Sequence, residues 1–356
     1  MITLALIFGG RSAEHEISVN SARFVATNLD PARYRVVPVG ILPSGGWVMP
    51  ADLDAALRDG LSSTPSEPVA LSVDPRRPGL VTAAGASIPL DFVFPILHGT
   101  FGEDGTIQGL LEMAGVAYAG AGVLGSAVGM DKELMKAAFT VAELPQIDYL
   151  VARDSANDLA AVVVSVEDGF EYPVFVKPAN LGSSVGMTKA HNRGELRTAL
   201  QLAFSYDRKV IVEAFVAGRE LECAVLGNES PEASIPGEVR AANEFYDYEA
   251  KYTEGKMAFH IPADVGEKHQ AEVQELAVAA FRAIDASGFA RCDFFLEAAT
   301  DRVILNEINT IPGMTAMSGF PRLWAASGVD GKSLVEEIVR LGLERHERLA
   351  RLKTAR

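Results

Sequence analysis

Sulfur, positive charge and long apolar runs are scarce in this chain, and each scarcity excludes something. Of 356 residues only Cys223 and Cys292 are cysteines, and no CxxC pair occurs. Neither a disulfide framework nor a thiolate zinc site is supported, and a reducing compartment, the cytoplasm, is the expected location. Lysine and arginine number 32 against 47 aspartates and glutamates, a net charge of −15. Such a surface repels phosphate backbones and anionic lipid, so neither nucleic acid nor membrane is an expected partner. No apolar stretch reaches the roughly 18 to 20 residues of a spanning helix. The apolar segment Met1–Gly10 lacks a basic flank and ends in Gly9-Gly10, so it reads as a first strand rather than a leader. GxxxxGKS/T is absent, which removes the usual P-loop phosphate site.

What is present describes a folded chain. Hydrophobic residues make up 48% and charged residues 22%, which fits neither disorder nor a fibrous repeat. At roughly 150 residues per domain, two or three domains are expected. Residues 1–120 alternate short apolar runs (Leu4 to Phe8, Tyr34 to Leu42, Asp91 to Leu97) with a helical segment placing Val19, Ala22, Arg23 and Ala26 on one face. This predicts an N-terminal α/β domain with a Rossmann-like parallel sheet. Its Pro43 to Pro89 portion, rich in Pro, Ser, Gly and Ala, carries no strong period and reads as a variable excursion of moderate order. Residues 121–215 open on a helix near Asp131 to Glu143 and hold strands at Val174 to Lys177 and Val210 to Glu213. Residues 216–356 hold strands at Leu221 to Leu226, Phe289 to Glu297 and Val303 to Asn309, then a charged helix. The whole is α/β in class, α+β overall.

The densest chemistry lies between Arg291 and Ser318. Arg291, Asp293, Glu307 and Asn309 are spaced i, i+2 in two strand-like runs, so each pair projects to one face. Phe294, Leu296, Ile304 and Ile308 alternate with them and are expected on the packed face. A turn at Ala299-Thr300-Asp301 would centre a hairpin near residue 300, setting Asp293 opposite Glu307 and Arg291 opposite Asn309. Facing carboxylates destabilise a sheet by roughly several tenths of a kcal/mol. A hard divalent cation would relieve this, since magnesium takes carboxylate and amide oxygens while sharing phosphate oxygens with a nucleotide. A surface hairpin whose arginine pairs with the acids is the competing reading. Thr310-Ile311-Pro312-Gly313-Met314-Thr315 follows, a turn whose glycine lets backbone N–H groups approach a ligand.

Four other segments draw notice. Lys177 ends a strand and precedes Leu181-Gly182-Ser183-Ser184-Val185-Gly186, a loop that can aim N–H and O–H donors at a triphosphate, although a plain hairpin turn reads the same way. Gly9 to Glu16 sits where ligands bind at the carboxyl end of a first strand, or is simply a helix start. His98 to Gly105 is a similar loop, explicable by turn chemistry. Asn243 to Asp264, with Tyr246, Tyr248 and Tyr252, is long and without period, as a functional lid would be.

Together these segments carry a resemblance. GGRSAEHEIS, HGTFGEDGTIQG, MDK, VKPANLGSSVG, GRELE, YDYEAKY, RCDFF and NEINTIPGMTAMS, in this order over residues 9 to 320, resemble the D-alanine:D-alanine ligases of the ATP-grasp superfamily. The joint occurrence is far more specific than any one motif. Cys292, between Arg291 and Asp293, receives no role and reads as a packed thiol.

The resemblance implies an ATP-grasp fold with central and C-terminal subdomains at 121–215 and 216–356. It implies that Lys132 and Lys177 bind ATP phosphates under a loop carrying Gly182, Ser183 and Ser184. Glu213 and the backbone of Val216 would read adenine, and Glu220 the ribose. Asp293, Glu307 and Asn309 would hold two magnesium ions, with manganese as an alternative. Glu14 would bind the ammonium of the first D-alanine, joined to Ser183 and Tyr252 by hydrogen bonds, with His98 nearby. Lys251 and Ser318 would receive the second carboxylate, while Arg291 and the Gly313 N–H form an oxyanion hole. The implied reaction makes an acyl phosphate from ATP and D-alanine, then D-alanyl-D-alanine for peptidoglycan precursors, in a homodimer. Sister ligases using D-lactate or D-serine are the nearest alternatives, and Tyr252 favours the dipeptide. A nucleotide-binding regulator without turnover fits poorly with so complete a set of motifs.

Overall fold

The computed structural model describes residues 1–153, 159–241 and 257–353, which build three sheets. The first is organised by the strand Ile2–Gly9, parallel to Tyr34–Ile41 on one side and to Phe92–Pro95 on the other, with Ala117–Tyr118 beyond. Leu4 through Phe8 are fully buried, as a parallel strand covered on both faces requires. Leu4, Leu6 and Phe8 pack with Val19, Ala22 and Val25 of the His15–Asn28 helix, and with Leu334, Val335 and Ile338 of the C-terminal helix Gly331–Ala350. Ala5 and Ile7 pack on the opposite side with Ile107 and Leu111 of the Thr106–Ala114 helix. The C-terminal helix therefore shares the core of the first sheet.

Two expectations need correction here. The stretch from Pro43 to Pro89, expected to be of only moderate order, is an integral part of the first sheet: Trp47–Pro50, Ser66–Leu71, Gly79–Thr82 and Ser87–Pro89 extend it as an antiparallel wing. These strands are only three to six residues long, so no run of alternating apolar residues announces them. On the His15–Asn28 helix, Arg23 is exposed and Val25 turns inward instead.

The second sheet orders Thr188–Ala190, Val174–Pro178, Lys209–Ala214 and Tyr149–Arg153, all antiparallel. Val174, Val176, Val210 and Val212 pack against the helices Leu159–Gly169 and Arg193–Tyr206. Period-two alternation turns Phe175, Lys177, Ile211 and Glu213 to the other face.

The third sheet runs Met257–His260, Gly237–Ala241, Gly218–Gly227, Gly288–Glu297 and Val303–Asn309, with Glu232–Ala233 at its edge. Cys223, Cys292, Phe294, Leu296, Val303, Leu305 and Ile308 pack on the Gly266–Ala283 helix, together with Met135 and Phe139 of the Lys132–Val141 helix. Both cysteines are free and fully buried, and burial pushes the Cys223 thiol up to about 12. Part of the expected lid, residues 257–260, is in fact an edge strand paired with Gly237–Ala241, and residues 243–256 lie outside the described residues.

The expected hairpin register holds for Arg291 opposite Asn309 and Asp293 opposite Glu307. A β-bulge then intervenes, and Phe294 faces Leu305 while Phe295 faces Ile304. One extra residue reverses the alternation beyond it. Leu305 rather than Ile304 therefore joins the packed face, contrary to the strict even-number pattern.

Candidate active site

The functional face of the third sheet is the one turned away from the Gly266–Ala283 helix. Three adjacent strands contribute to it: Glu220 and Glu222, then Arg291 and Asp293, then Glu307 and Asn309. Glu222 is directly opposite Asp293. The Arg291 guanidinium grips Asp293 with two hydrogen bonds of 2.6 and 2.7 Å, and its Nε lies 3.6 Å from Glu222 Oε2. Asn309 Nδ2 donates to Asp293 Oδ2 at 3.1 Å. The arginine does pair with an acid, as the competing reading had it, but Arg291 and Asp293 retain only 18% and 16% side-chain exposure, unlike a solvated surface hairpin.

The donor set suits a hard cation. Among the described residues no group of three or more His, Cys, Asp or Glu side chains is arranged to hold a metal. The candidate ligands are two facing carboxylates and an amide. Magnesium accepts such a partial set because it keeps waters and takes phosphate oxygens for its remaining positions.

Across the cleft, Glu213 sits between two ammonium groups. Its Oε1 lies 2.8 Å from Lys136 Nζ and its Oε2 lies 2.5 Å from Lys177 Nζ. The lysines outweigh the effect of burial and hold Glu213 down at about 2. Burial draws Lys136 below the ordinary ammonium range, while the charges of Glu213 and Glu307 hold Lys177 above it. Val216 lies in the short link from the Lys209–Ala214 strand to the Gly218–Gly227 strand, where the chain passes from one sheet to the other.

Lys132 is fixed at the start of its helix. Asp131 caps that helix by accepting from the N–H groups of Glu133 and Leu134 at 3.1 and 3.2 Å. The buried Lys209 ammonium reaches both Asp131 oxygens, at 2.7 and 2.5 Å. Lys132 N–H donates to Ala179 and its Nζ to the carbonyl of Leu181, at 3.0 and 2.7 Å. Its ammonium is thereby held at the root of the glycine-serine loop. In that loop Ser183 and Ser184 take φ of +48° and +59°. Left-handed backbone costs a non-glycine residue about 1 to 3 kcal/mol and persists only where the surroundings enforce it.

What anchors the loop is Glu14. Ser183 Oγ donates to Glu14 Oε1, joining the second sheet's loop to the first sheet's first helix. The Glu14 carboxylate is 8% exposed for its residue and is walled by two glycines. A Cβ on Gly99 would stand 2.5 Å from its Oε2, and one on Gly182 would stand 3.2 Å away. His98 Nδ1 lies 2.9 Å from the Ile311 carbonyl, so this nitrogen carries the proton. Nε2 then accepts from Ser21 Oγ at 2.9 Å, and Ser21 accepts from the Met314 N–H at 3.1 Å. Burial lowers the His98 pKa, in keeping with a neutral ring. This network clamps the turn carrying Gly313, whose Cβ, if present, would lie 3.1 Å from Ser318 Oγ. Ser318 Oγ in turn accepts from Thr315 N–H at 3.1 Å.

Glu14, His98, Gly182 and Ser183 thus form one cluster, Asp293, Arg291, Glu307 and Asn309 a second, and Gly313 with Ser318 the turn beside it. Lys251 and Tyr252 lie outside the described residues. Sequence reasoning passed over Lys136, Lys209 and Glu222, and saw Glu103 only as one charged group of the His98 to Gly105 loop, explicable by turn chemistry. Glu103 accepts from Gly99 N–H at 2.9 Å, and burial followed by the nearby Glu14 charge pushes it well above the usual carboxylate range. Only Lys136 and Glu222 carried a signal: one is a helical turn from Lys132, the other two residues along the strand from Glu220.

Comparison with known proteins accords with this arrangement. Residues 3–121 match the model for the D-ala D-ala ligase N-terminus, and residues 138–340 the model for the C-terminus. The chain belongs to the D-alanine–D-alanine ligase family. It is 46% identical to a D-alanine–D-alanine ligase of Heliobacterium modesticaldum, over 99% of this chain and 98% of that protein. A ligase of the same name from Solibacter usitatus is 44% identical over 97% and 96% of the two chains. Among solved structures, the D-alanine–D-alanine ligase from Coxiella burnetii superposes with a TM-score of 0.85 at 33% identity, covering 98% and 96% of the two chains. The VanG D-Ala:D-Ser ligase from Enterococcus faecalis gives 0.87 at 33%, covering 96% and 99%. Among the described residues no helix is long and apolar enough to cross a membrane.

Proposed function

We propose that this chain joins two D-alanine molecules into D-alanyl-D-alanine, consuming ATP and supplying peptidoglycan precursor synthesis in the cytoplasm. The observation that carries the reading is Ser183 bonded to Glu14, because it ties the phosphate loop to the wall that would receive the first substrate. The full-length likeness to ligases of this name supports it. The working division is 1–120, 121–215 and 216–356, with the nucleotide held between the second and third sheets and the chain acting as a homodimer.

In this reading Glu14 accepts from the ammonium of the first D-alanine while His98, neutral, shapes the pocket without repelling that charge. Lys132 and Lys177 hold the phosphates beneath Gly182, Ser183 and Ser184. Glu213 and the Val216 backbone receive adenine, and Glu220 receives the ribose. Asp293, Glu307 and Asn309 would hold two magnesium ions, or manganese, which when bound supply charge stabilisation at the phosphoryl oxygens. The first carboxylate attacks the γ-phosphate to give an acyl phosphate, and positioning plus electrostatics is the main catalytic device for such a transfer. Lys251 and Ser318 receive the second carboxylate, and the second amine, once deprotonated, attacks the acyl carbon, whose bond to the phosphate oxygen then breaks to release inorganic phosphate. Arg291 and the Gly313 N–H donate to the oxyanion, a contact worth about 3 to 4 kcal/mol per donor. Tyr252 joins the Glu14–Ser183 pair as the site closes, which excludes water from an intermediate that hydrolyses.

The likeness to a D-Ala:D-Ser ligase favours one other second substrate. With ATP, magnesium and D-alanine the purified chain should release ADP, phosphate and D-alanyl-D-alanine. A preference for D-serine or D-lactate as second substrate at neutral pH would overturn the assignment.

A further inference from the structure

Lys136 has no access to solvent or to a bound ligand, with 0% side-chain exposure, yet its ammonium lies 2.8 Å from a carboxylate at the floor of the nucleotide cleft. It stands one helical turn after Lys132, so both lysines leave the Lys132–Val141 helix on the same side. Lys132 reaches the loop at Leu181, while Lys136 reaches Glu213 from behind. The opposite oxygen of Glu213 takes Lys177 at 2.5 Å.

Lys136 and Lys177 set two positive charges against that of Glu213, while the carboxylates of Glu307 and Glu220 also act on Lys177, the one of the two lysines that remains partly exposed, at 11%. Without Lys136 the whole charge of Glu213 would fall on Lys177, already 2.5 Å from its Oε2, and less of that ammonium's charge would be left for a phosphate. Packing does not account for Lys136. Removing an ammonium from water costs several kcal/mol, and an apolar side chain of similar volume often serves a core equally well. Glu213 is the carboxylate it meets, at 2.8 Å, so its charge is spent on that residue.

We propose that Lys136 is a positioning residue for the nucleotide phosphates: by neutralising Glu213 from the protein interior, it keeps Lys177 a net cation directed at the triphosphate. The inference rests on the reading of Lys177 as a phosphate ligand and assigns a role to a residue that touches neither nucleotide nor substrate.

The test measures dissociation constants of ADP and of adenosine by calorimetry on the full-length protein, with chelator present so that no divalent cation masks the lysines. Adenosine shares the base and ribose contacts and lacks the phosphates, so the ratio of the two constants isolates phosphate binding. Lys136→Met should reduce the preference for ADP over adenosine by about tenfold or more while adenosine affinity stays within about twofold. Lys136→Arg should retain most of the preference. Lys136→Met/Glu213→Gln, which removes both buried charges, should restore the preference to within about threefold of the parent. This double variant also carries the test should Lys136→Met not fold. Equal loss of both ligands, no loss of either, or a double variant as weak as the single one would overturn the proposal. Lys177→Met serves as the reference: an unchanged preference for ADP there would refute the reading of Lys177 itself, a separate failure.

Discussion

Gly99→Ala is the sharpest structural perturbation of the pocket proposed for the first substrate. Gly99 has φ of +73°, and a Cβ there would lie 2.5 Å from Glu14 Oε2 and 2.8 Å from Ser12 Oγ. Ser12 Oγ accepts from the Glu14 N–H at 3.0 Å, so the methyl would press on both the carboxylate and the group that sets its backbone. Ordinary contact begins at 3.4 Å, which requires the carboxylate to retreat by close to an ångström. The left-handed backbone adds about 1 to 2 kcal/mol of strain for any residue bearing a Cβ. A hydrogen bond to a charged group is worth about 1.5 to 3 kcal/mol, so losing the Glu14–ammonium contact should cost roughly 10- to 150-fold in D-alanine binding. Steady-state kinetics with D-alanine varied at saturating ATP should show that rise in KM for the first D-alanine, with ADP affinity unchanged by calorimetry. An unaltered KM would refute the placement of Glu14 against the substrate. Parallel loss of ADP binding and of the circular dichroism spectrum would mean that the glycine serves the fold alone.

Two further outcomes follow from the same geometry. Ser183→Ala removes the hydroxyl that donates to Glu14, and KM for D-alanine should rise by about 5- to 10-fold, as expected for one hydrogen bond of roughly 1 kcal/mol; no change would mean that the tether does not act on substrate binding. The second concerns acid. Glu213 falls from 4.5 to about 2 on folding, so its stabilisation is complete above about pH 4.5 and is lost as pH falls toward 2. Glu238, held down at about 2 by Arg219 and Arg240, acts in the same window and with the same sign. The urea midpoint should therefore decline between pH 4.5 and 2, and Glu213→Gln should flatten that decline; an unchanged slope would refute the assignment of the charge to Glu213.

The parts of the site that were legible in the sequence are those fixed by local periodicity. Spacing by two within Arg291–Asp293 and Glu307–Asn309, with a short turn between, was enough to pair them correctly. It failed one step further on, at the bulge, where Asn306 is the extra residue: beyond it Ile304 and Leu305 are both apolar, so the sequence does not show which of them faces the core. The antiparallel wing between Pro43 and Pro89 stayed illegible because its strands, three to six residues long, are too short to show an apolar alternation. Lys136 and Lys209 were passed over because a lysine acquires meaning only from the carboxylate it meets, and Glu213 and Asp131 lie 77 and 78 residues away. Glu14 and Ser183 were united only by family resemblance, since no local pattern relates residues 169 apart. The glycines at 99 and 182 read as turn formers, whereas their missing side chains also make room for one carboxylate.

The central claim is that Asp293, Glu307 and Asn309 hold the cations that accompany the nucleotide. It is tested most directly by counting Mn²⁺ bound to the protein–ADP complex by electron paramagnetic resonance, in the parent chain and in Glu307→Gln. The account predicts two bound ions per chain in the parent and loss of tight binding in the variant, with the circular dichroism spectrum unchanged. Equal Mn²⁺ occupancy in the two proteins would contradict it.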